Sequence, residues 1–251
     1  MLLPVILVEQ VGFVIDSEHM VFSLPPRRVN FLCQLISEVV DSPSCSVQML
    51  RSLVGSLISC ERAVWGARIH LRILYYLITE NEHISKQSAE GVFVSLSVSI
   101  INELKWWYAN LPTSSQPIQM QAAVHEFYVD ASAVGWGAVL NNSVEASGLL
   151  DAHEALQSST FRELVGVREA VVTFWPILTQ GNWKGVAVVD VYCDNFGVEC
   201  IMRKGSSKPH LQHIATEITK LTEAANLKLR LCWLPREFNV YADELSKQVT
   251  G

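Results

Sequence analysis

Four acidic residues lie where apolar segments of the chain end: Asp130, Glu163, Asp194 and Asp243. Asp130 follows the mainly apolar run 127–129 and precedes a small-residue turn and a second apolar run, which is typical of a β-hairpin. A carboxylate near the inner end of a strand is costly unless something binds it. Because hard divalent cations prefer oxygen ligands, we expect the four acids to meet and hold divalent metal.

Each acid also has a structural alternative. Thr160-x-x-Glu163 fits a capping box, in which Glu163 would accept a hydrogen bond from the Thr160 amide. Asp194 fits a turn residue after a strand, and Asp243 a solvated acid in the first turn of a helix. Asp130 is harder to explain in this way, because its strand is expected to be internal. The joint order, with acids on the first strand, on a long helix, after the next strand and near the end, is more specific than any single position.

The elements that must position these acids are predicted within residues 124–251. We expect an α/β fold, a mixed sheet with an antiparallel start, crossover connections and flanking helices. The predicted strands are 126–132, 135–140, 145–150, 186–193 and 227–234, and the helices are 158–178, 196–202, 210–225 and one opened by Asn239. Asp194 would then lie at the carboxyl end of a strand, where ligands of such sheets gather. Glu163 and Asp243 would lie in the first turns of their helices.

Residues 1–110 predict a small, mostly α-helical region preceded by short strands between positions 5 and 24. The helical patterns begin at Pro25-Pro26 and then cover about 47–58, 62–79 and 92–107. Residues 111–123 carry proline, serine and glutamine without periodicity and are the best linker candidate.

The composition of the chain limits its class of protein and its partners. The chain has 251 residues, of which 49% are hydrophobic, so it has enough apolar residues for a sizeable core. Its net charge of -6 is mild evidence against a polyanionic partner, and metal bound to the acids would weaken that evidence. The six cysteines form no C-x-x-C pair, which argues against zinc and favours reduced thiols of an intracellular protein, nuclear or cytoplasmic. The apolar start, Met1–Val8, is too short for a membrane span, so we expect no membrane partner.

Two basic groups are candidates for nucleic-acid contact. The densest stretch holds Arg203, Lys204 and Lys208 between two predicted helices, where lysine, arginine and turn amides could contact phosphates. Arg68 and Arg72 are four residues apart and would share a face of the predicted helix 62–79. The alternative for both groups is an ordinary solvated surface.

Several motifs resemble the ribonuclease H domain of retrotransposon polyproteins, in particular retroelements of the DIRS type. The resemblance covers most of residues 124–250 and rests on the segments 128–132, 135–138, 161–164, 193–195, 233–239 and 242–246. Residues 11–16, 24–25 and 52–57 resemble, more loosely, the thumb and connection segments that follow a reverse transcriptase palm. The Tyr-x-Asp-Asp-type motif of a polymerase palm does not occur, so we expect the chain to begin after the palm and to lack polymerase activity.

The resemblance implies hydrolysis of the RNA strand of an RNA–DNA hybrid with two Mg²⁺ ions, for which Mn²⁺ could substitute. Asp130 would bridge both ions, Glu163 and Asp194 would complete one site, and Asp243 the other. Ser132 and Asn195 would be candidates for contacting the 2′-hydroxyl that distinguishes RNA from DNA. Many relatives carry a histidine in the loop before the last acid. Here that loop reads Pro235-Arg236-Glu237, which leaves open what assists product departure.

Two other classes of function compete with this one. A proofreading-type exonuclease of the same fold would carry Asp-x-Glu on the first strand, but Ser132 stands there. An integrase-type enzyme would place its glutamate last, whereas Glu163 is the second acid. The non-enzymatic alternative is an inactive retroelement fragment or a host-recruited module that binds nucleic acid without cleaving it. The sequence leaves the oligomeric state open.

Overall fold

A computed structural model describes residues 6–42, 44–87, 91–181 and 186–248. Some predicted features lie outside these residues. They are the strand start at Val5, the helix break at Pro43, and parts of the ranges 1–110 and 124–251. The chain divides into two compact units, Met1–Met120 and Gln121–Gly251. The division falls within the segment 111–123. That residues 124–251 fold alone stays a prediction.

The first unit is mostly helical. Its elements are β1 (Leu7–Gln10), β2 (Phe13–Asp16), β3 (Val21–Ser23), α1 (Pro26–Val40), β4 (Cys45–Ser46), α2 (Val47–Ile58), α3 (Ala67–His70), α4 (Arg72–Gln87), β5 (Phe93–Val94), α5 (Val98–Asn110) and β6 (Ser115–Pro117). Strands β1, β2, β3 and β6 form an antiparallel sheet, and β4 pairs with β5. Helices α1, α2, α4 and α5 bury their apolar faces in one core.

Three expectations for this unit need correction. The predicted helix 62–79 ends at His70 and resumes at Arg72, so Arg68 and Arg72 do not lie on one continuous helix. The pattern beginning at Val92 contains a two-residue strand, and its helix begins at Val98, where the Ser97 hydroxyl accepts a hydrogen bond from an amide of the first turn. The predicted linker contains β6, which pairs with β3.

The second unit has the α/β architecture that the sequence predicts, a mixed sheet with flanking helices. Its elements are β7 (His125–Ala131), β8 (Gly135–Leu140), β9 (Val144–Leu149), α6 (Ala152–Ala155), α7 (Ser159–Leu178), β10 (Ala187–Cys193), α8 (Phe196–Lys204), α9 (Pro209–Ala224), β11 (Leu227–Trp233), a 3₁₀ turn (Arg236–Phe238) and α10 (Val240–Lys247). The strand order is β11-β10-β7-β8-β9. Strands β7, β8 and β9 are antiparallel, and β10 runs parallel to both β7 and β11.

Successive side chains of β7 point to opposite faces of this sheet. Phe127 and Val129 point into the core that α7 and α9 cover. Asp130 belongs to the opposite face, against which α10 packs. The candidate acids therefore come from a central strand, from the end of its neighbour and from helices on both faces.

The structure also describes the cysteines and the apolarity of the helices. All six cysteines lie among the described residues and none is disulfide-bonded; Cys45, Cys60 and Cys193 are buried. In the part of the chain that the structure describes, no helix is long and apolar enough to cross a membrane.

Candidate active site

Asp130 is a buried carboxylate on the central strand of the sheet. Only 7% of the residue is exposed, and its Oδ2 accepts a hydrogen bond of 2.8 Å from the Ser246 hydroxyl of α10. Burial raises the pKa of Asp130 above its ordinary value, and the carboxylates of Asp194 and Asp243 raise it further. A neutral hydroxyl is a weak compensation for a buried charge, so this position favours an added cation.

A glycine brings α10 close enough for this contact. Gly137 of β8 pairs with Asp130, and a Cβ there would lie 2.5 Å from Leu245 Cβ and 2.6 Å from the Ser246 amide nitrogen. Only glycine leaves room for the helix backbone at this distance. The close approach places Ser246 on Asp130 and brings Asp243, one helical turn earlier, to the same end of the sheet.

Glu163 lies on α7, one turn later than the sequence predicts. The N-cap of α7 is Ser158, whose hydroxyl accepts from the Phe161 amide, so Glu163 falls outside the first turn and the capping-box alternative at Thr160 is wrong. The residue is 6% exposed. Its Oε1 accepts a 3.0 Å hydrogen bond from Asn195 Nδ2, whereas Oε2 is buried without a hydrogen-bond partner among the described residues.

Glu163 has the most strongly shifted pKa of the four acids. Burial raises its pKa from 4.5 to about 8, the Asn195 hydrogen bond opposes the rise, and the carboxylates of Asp194 and Asp130 add to it. A glutamate with this pKa is partly protonated at neutral pH unless a cation compensates its charge. The orphaned Oε2 is therefore the strongest structural sign of an absent ligand.

Asp194 follows β10 directly and lines the same cleft as Glu163. The cleft has a volume of about 500 Å³, and its other lining residues are Asn195, Phe196, Gly197 and Trp233. The indole of Trp233 donates a 2.9 Å hydrogen bond to the Asp194 carbonyl, which fixes the end of the strand. The Asp194 side chain is mostly covered, with 14% of it exposed.

Two basic side chains hold Asp243. Arg236 Nη2 donates a 2.8 Å hydrogen bond to Oδ1, and the Lys247 ammonium donates to Oδ2. The Lys247 hydrogen bond lowers the pKa of Asp243, and the Arg236 hydrogen bond lowers it further. Arg236 also lies 4.0 Å from Asp194 Oδ2, so one guanidinium bridges two of the four acids.

The donor set fits hard divalent cations, although the side chains are not grouped around one point. All four groups are carboxylates, Asp194 helps to raise the pKa values of both Asp130 and Glu163, and Glu163 carries an unpartnered buried oxygen. Yet no group of three or more His, Cys, Asp or Glu side chains in the described ranges is arranged to hold an ion. The basic partners of Asp243 account for part of this, because they occupy both of its oxygens.

Comparison with known proteins gives structural matches only. No family model and no curated protein matches the chain. The foamy viral protease-reverse transcriptase in complex with double-stranded DNA matches 91% of this chain and 38% of that chain, with 14% identity and a TM-score of 0.37. LC11-RNase H1 in complex with an RNA/DNA hybrid matches 48% of this chain and 92% of that chain, with 19% identity and a TM-score of 0.41. The N-terminal RNase H domain of a Mycobacterium tuberculosis protein, fused to maltose-binding protein, matches at 17% identity over 49% of this chain and 91% of that chain, with a TM-score of 0.38.

Ser132 and Asn195, the two candidates next to the acids, both have structural bonds. The Ser132 hydroxyl donates to the Ser246 carbonyl at 2.7 Å and accepts from two amides of the β7–β8 turn. Asn195 caps α8 through the Gly197 amide and donates to Glu163, so it orients a carboxylate directly. Contact of either residue with a 2′-hydroxyl stays a prediction.

None of the basic candidates is among the residues that line the cleft. Arg203, Lys204 and Lys208 are exposed around the α8–α9 connection, and Arg203 pairs with Glu199 one turn earlier. In the first unit, Arg68 forms two hydrogen bonds with Glu61, and Arg72 bonds Tyr76. An arginine already paired with a carboxylate is a poorer phosphate ligand than a free one, which favours the solvated-surface alternative for Arg68.

The sequence alone did not assign roles to three residues of the site: Ser246, Lys247 and Arg236. Ser246 and Lys247 lie three and four residues after Asp243, a helical spacing that places side chains on one face and could have indicated contact with the acids. Arg236 was noted only as a replacement for a loop histidine, because no local pattern indicates that it bridges two acids.

Proposed function

We propose that the second unit hydrolyses the RNA strand of an RNA–DNA hybrid with divalent metal ions, Mg²⁺ in the first place. The proposed ligands are Asp130, Glu163, Asp194 and Asp243. The motifs around these acids resemble DIRS-type retroelements, and we infer such an origin for the chain. The observation that carries the proposal is the buried, unpartnered Oε2 of Glu163 beside two further carboxylates in an open cleft.

The chemistry of the donor set supports this choice of ion. Bound Mg²⁺ ions would supply an activated water and stabilise the charge on phosphorus and the leaving oxygen. Carboxylates on rigid elements suit this task, since Asp130 lies in a strand paired on both sides and Glu163 in the second turn of a long helix.

The remaining residues of the site position these ligands. Asn195 holds one oxygen of Glu163 and leaves the other directed away from any partner. Ser246 fixes one oxygen of Asp130 in the same way. Glu163 and Asp130 thus each have one oxygen oriented by a neutral donor, which is how surrounding hydrogen bonds orient metal ligands.

The aromatic walls of the cleft favour a nucleic acid over a small anion. Phe196 and Trp233 line it, and 60% and 50% of their surfaces are exposed. Exposed aromatic rings beside a phosphate-cleaving centre can pack against sugars or bases. Trp233 is also held in place by its hydrogen bond to Asp194, so its ring is pre-positioned.

The test is cleavage by the whole chain of labelled RNA–DNA hybrid, double-stranded RNA and double-stranded DNA, with Mg²⁺ or with EDTA. We expect only the RNA of the hybrid to be cut, only with Mg²⁺, and not by Asp130→Asn. The matched control is Glu244→Gln, which removes an exposed acid next to Asp243. Equal cleavage of hybrid by the parent and Asp130→Asn would refute the proposal, as would equal cleavage of double-stranded RNA.

One observation favours the second candidate, a nucleic-acid-binding module without catalysis. Both oxygens of Asp243 are engaged by basic side chains, as they would be in a site that no longer takes metal. Hybrid binding without Mg²⁺-dependent cleavage would support this module.

A further inference from the structure

The Arg236 guanidinium lies where it satisfies two of the proposed metal ligands at once. It hydrogen-bonds Asp243 at 2.8 Å and lies 4.0 Å from Asp194. These acids come from α10 and from the end of β10, and no other described cation contacts both of them. The arginine therefore joins two elements whose carboxylates would otherwise repel each other.

Burial differs sharply across this contact. The Asp194 and Asp243 side chains are 14% and 17% exposed, whereas the Arg236 side chain is 70% exposed. Arg236 extends from the 3₁₀ turn that connects β11 to α10. The acids are thus fixed within the fold, and the guanidinium is a surface group that can leave them by side-chain rotation alone.

We propose that Arg236 is an internal competitor for divalent metal: its guanidinium occupies Asp194 and Asp243 and must leave before an ion binds there. This proposal rests on the proposed function, because it concerns the same acids. Arg236 would lower the affinity for metal, and it would compensate the negative charge of the two acids while no metal is bound. A positive side chain close to a divalent site opposes binding by direct repulsion and by occupying the ligand oxygens.

Lys247 is not an equivalent competitor. It contacts Asp243 alone and comes from the same helix, four residues later, so it moves with the acid. Arg236 is the residue that bridges the two elements, and its removal should affect both acids. The experiment therefore compares Arg236 with Lys247 as well as with an arginine of the first unit.

The experiment measures Mn²⁺ binding to the whole chain by the electron paramagnetic resonance signal of free Mn²⁺, with the parent, Arg236→Gln, Arg236→Lys and Asp130→Asn. We expect Arg236→Gln to bind Mn²⁺ about twofold to fivefold more tightly than the parent, the effect of removing one exposed ion pair. Arg236→Lys should stay within about twofold of the parent, since it keeps the charge. Arg27→Gln is the matched control, because Arg27 is also exposed and paired with one glutamate but does not touch the four acids.

A second readout is the melting temperature, measured without and with Mn²⁺. Without Mn²⁺, Arg236→Gln should melt at a lower temperature than the parent, because Asp194 and Asp243 lose their shared cation. With saturating Mn²⁺ it should gain more in melting temperature than the parent does, since tighter ligands stabilise the folded state more. Lys247→Gln should change Mn²⁺ affinity less than Arg236→Gln.

The outcomes separate this inference from the proposed function. Mn²⁺ affinity in Arg236→Gln that equals or falls below that of the parent would overturn the competitor role, while Asp130-dependent binding in the parent would leave the proposed function standing. Absence of Asp130-dependent Mn²⁺ binding in both the parent and Arg236→Gln would overturn both. Tighter binding in Arg236→Gln alone supports the competitor role.

Discussion

The two units each bury a glutamate, and the two glutamates differ in what surrounds them. Glu103 in α5 is 5% exposed and contacts the ring of His70 from α3, on which Trp106 stacks at 3.5 Å between ring centroids. Glu163 in α7 is 6% exposed, yet only an amide donates to it and one oxygen has no partner in the described chain. Nearly equal burial thus accompanies an acid that contacts an imidazole in one unit and an acid with an unpartnered oxygen in the other.

The difference shows how to separate structural from functional burial of charge. A buried carboxylate with a basic partner contributes to the fold, because the pair offsets the cost of desolvation. A buried carboxylate without one reduces stability and is retained only if a ligand completes it. By this criterion Glu103 is buried for packing, and we interpret the burial of Glu163 as that of a proposed ligand.

The largest expected effect is that of Glu163→Gln. Hydrolysis of hybrid should fall on the order of 1,000-fold or more, since ligands that act as a unit fail together. The metal-free protein should become more stable to urea above about pH 8, because the substitution removes a buried carboxylate that is ionised there without a compensating cation. A loss of stability similar to that of an ordinary core variant would contradict the comparison, and Glu244→Gln serves as the control.

Glu103→Gln should show the opposite combination. Removing one member of a buried pair costs about 3 kcal/mol, so the free energy of unfolding of the first unit should fall by roughly that amount. The increase in melting temperature that Mn²⁺ produces should stay unchanged. Glu80→Gln, at an exposed position on α4, is the control. Unchanged stability in Glu103→Gln would mean that the His70 contact does not stabilise the unit.

Replacing a glycine with alanine should change stability in opposite directions in the two units. Gly137→Ala places a methyl group against Leu245 and the Ser246 amide and should destabilise the second unit by about 2 kcal/mol. Mn²⁺ affinity should fall with it, because α10 carries Asp243. Gly55→Ala lies within α2, where an added Cβ meets nothing within 4 Å among the described atoms, and should stabilise the first unit by about 0.5–1 kcal/mol. Urea titrations of both variants check the sign.

The sequence predicted the elements that carry the acids better than their contacts. The apolar runs and turn residues were sufficient for the strands, α7 and the last helix, because these signals are local. The N-cap of α7 was not determined, since Ser158, Ser159 and Thr160 offer three similar hydroxyls in a row. The break at Leu71 was missed because apolar periodicity continues across it.

Contacts that join distant parts of the chain were beyond local patterns. Ser246 and Asp130 are 116 residues apart, and their hydrogen bond depends on how closely α10 approaches β8. The same holds for Arg236, whose position between two acids follows from the turn after β11. Sequence spacing shows which residues share an element, whereas the partner of a buried charge is a property of the packed fold.

The last test of the comparison is the pH dependence of the metal-free protein. The pKa of Glu163 is raised from 4.5 to about 8, so between these values the folded chain holds a proton that the unfolded chain has released. The free energy of unfolding should therefore fall as pH rises through this window and level off above about pH 8. Asp130 contributes with the same sign, because its pKa is also raised, whereas the lowered pKa of Asp243 acts below the window.

Glu163→Gln isolates the contribution of one acid. The difference in unfolding free energy between this variant and the parent should grow from about pH 5 to about pH 8 in EDTA, measured by urea titration. A constant difference for Glu163→Gln would mean that Glu163 is ionised in the metal-free fold, and the contrast between the two buried glutamates would then lie in geometry and not in charge.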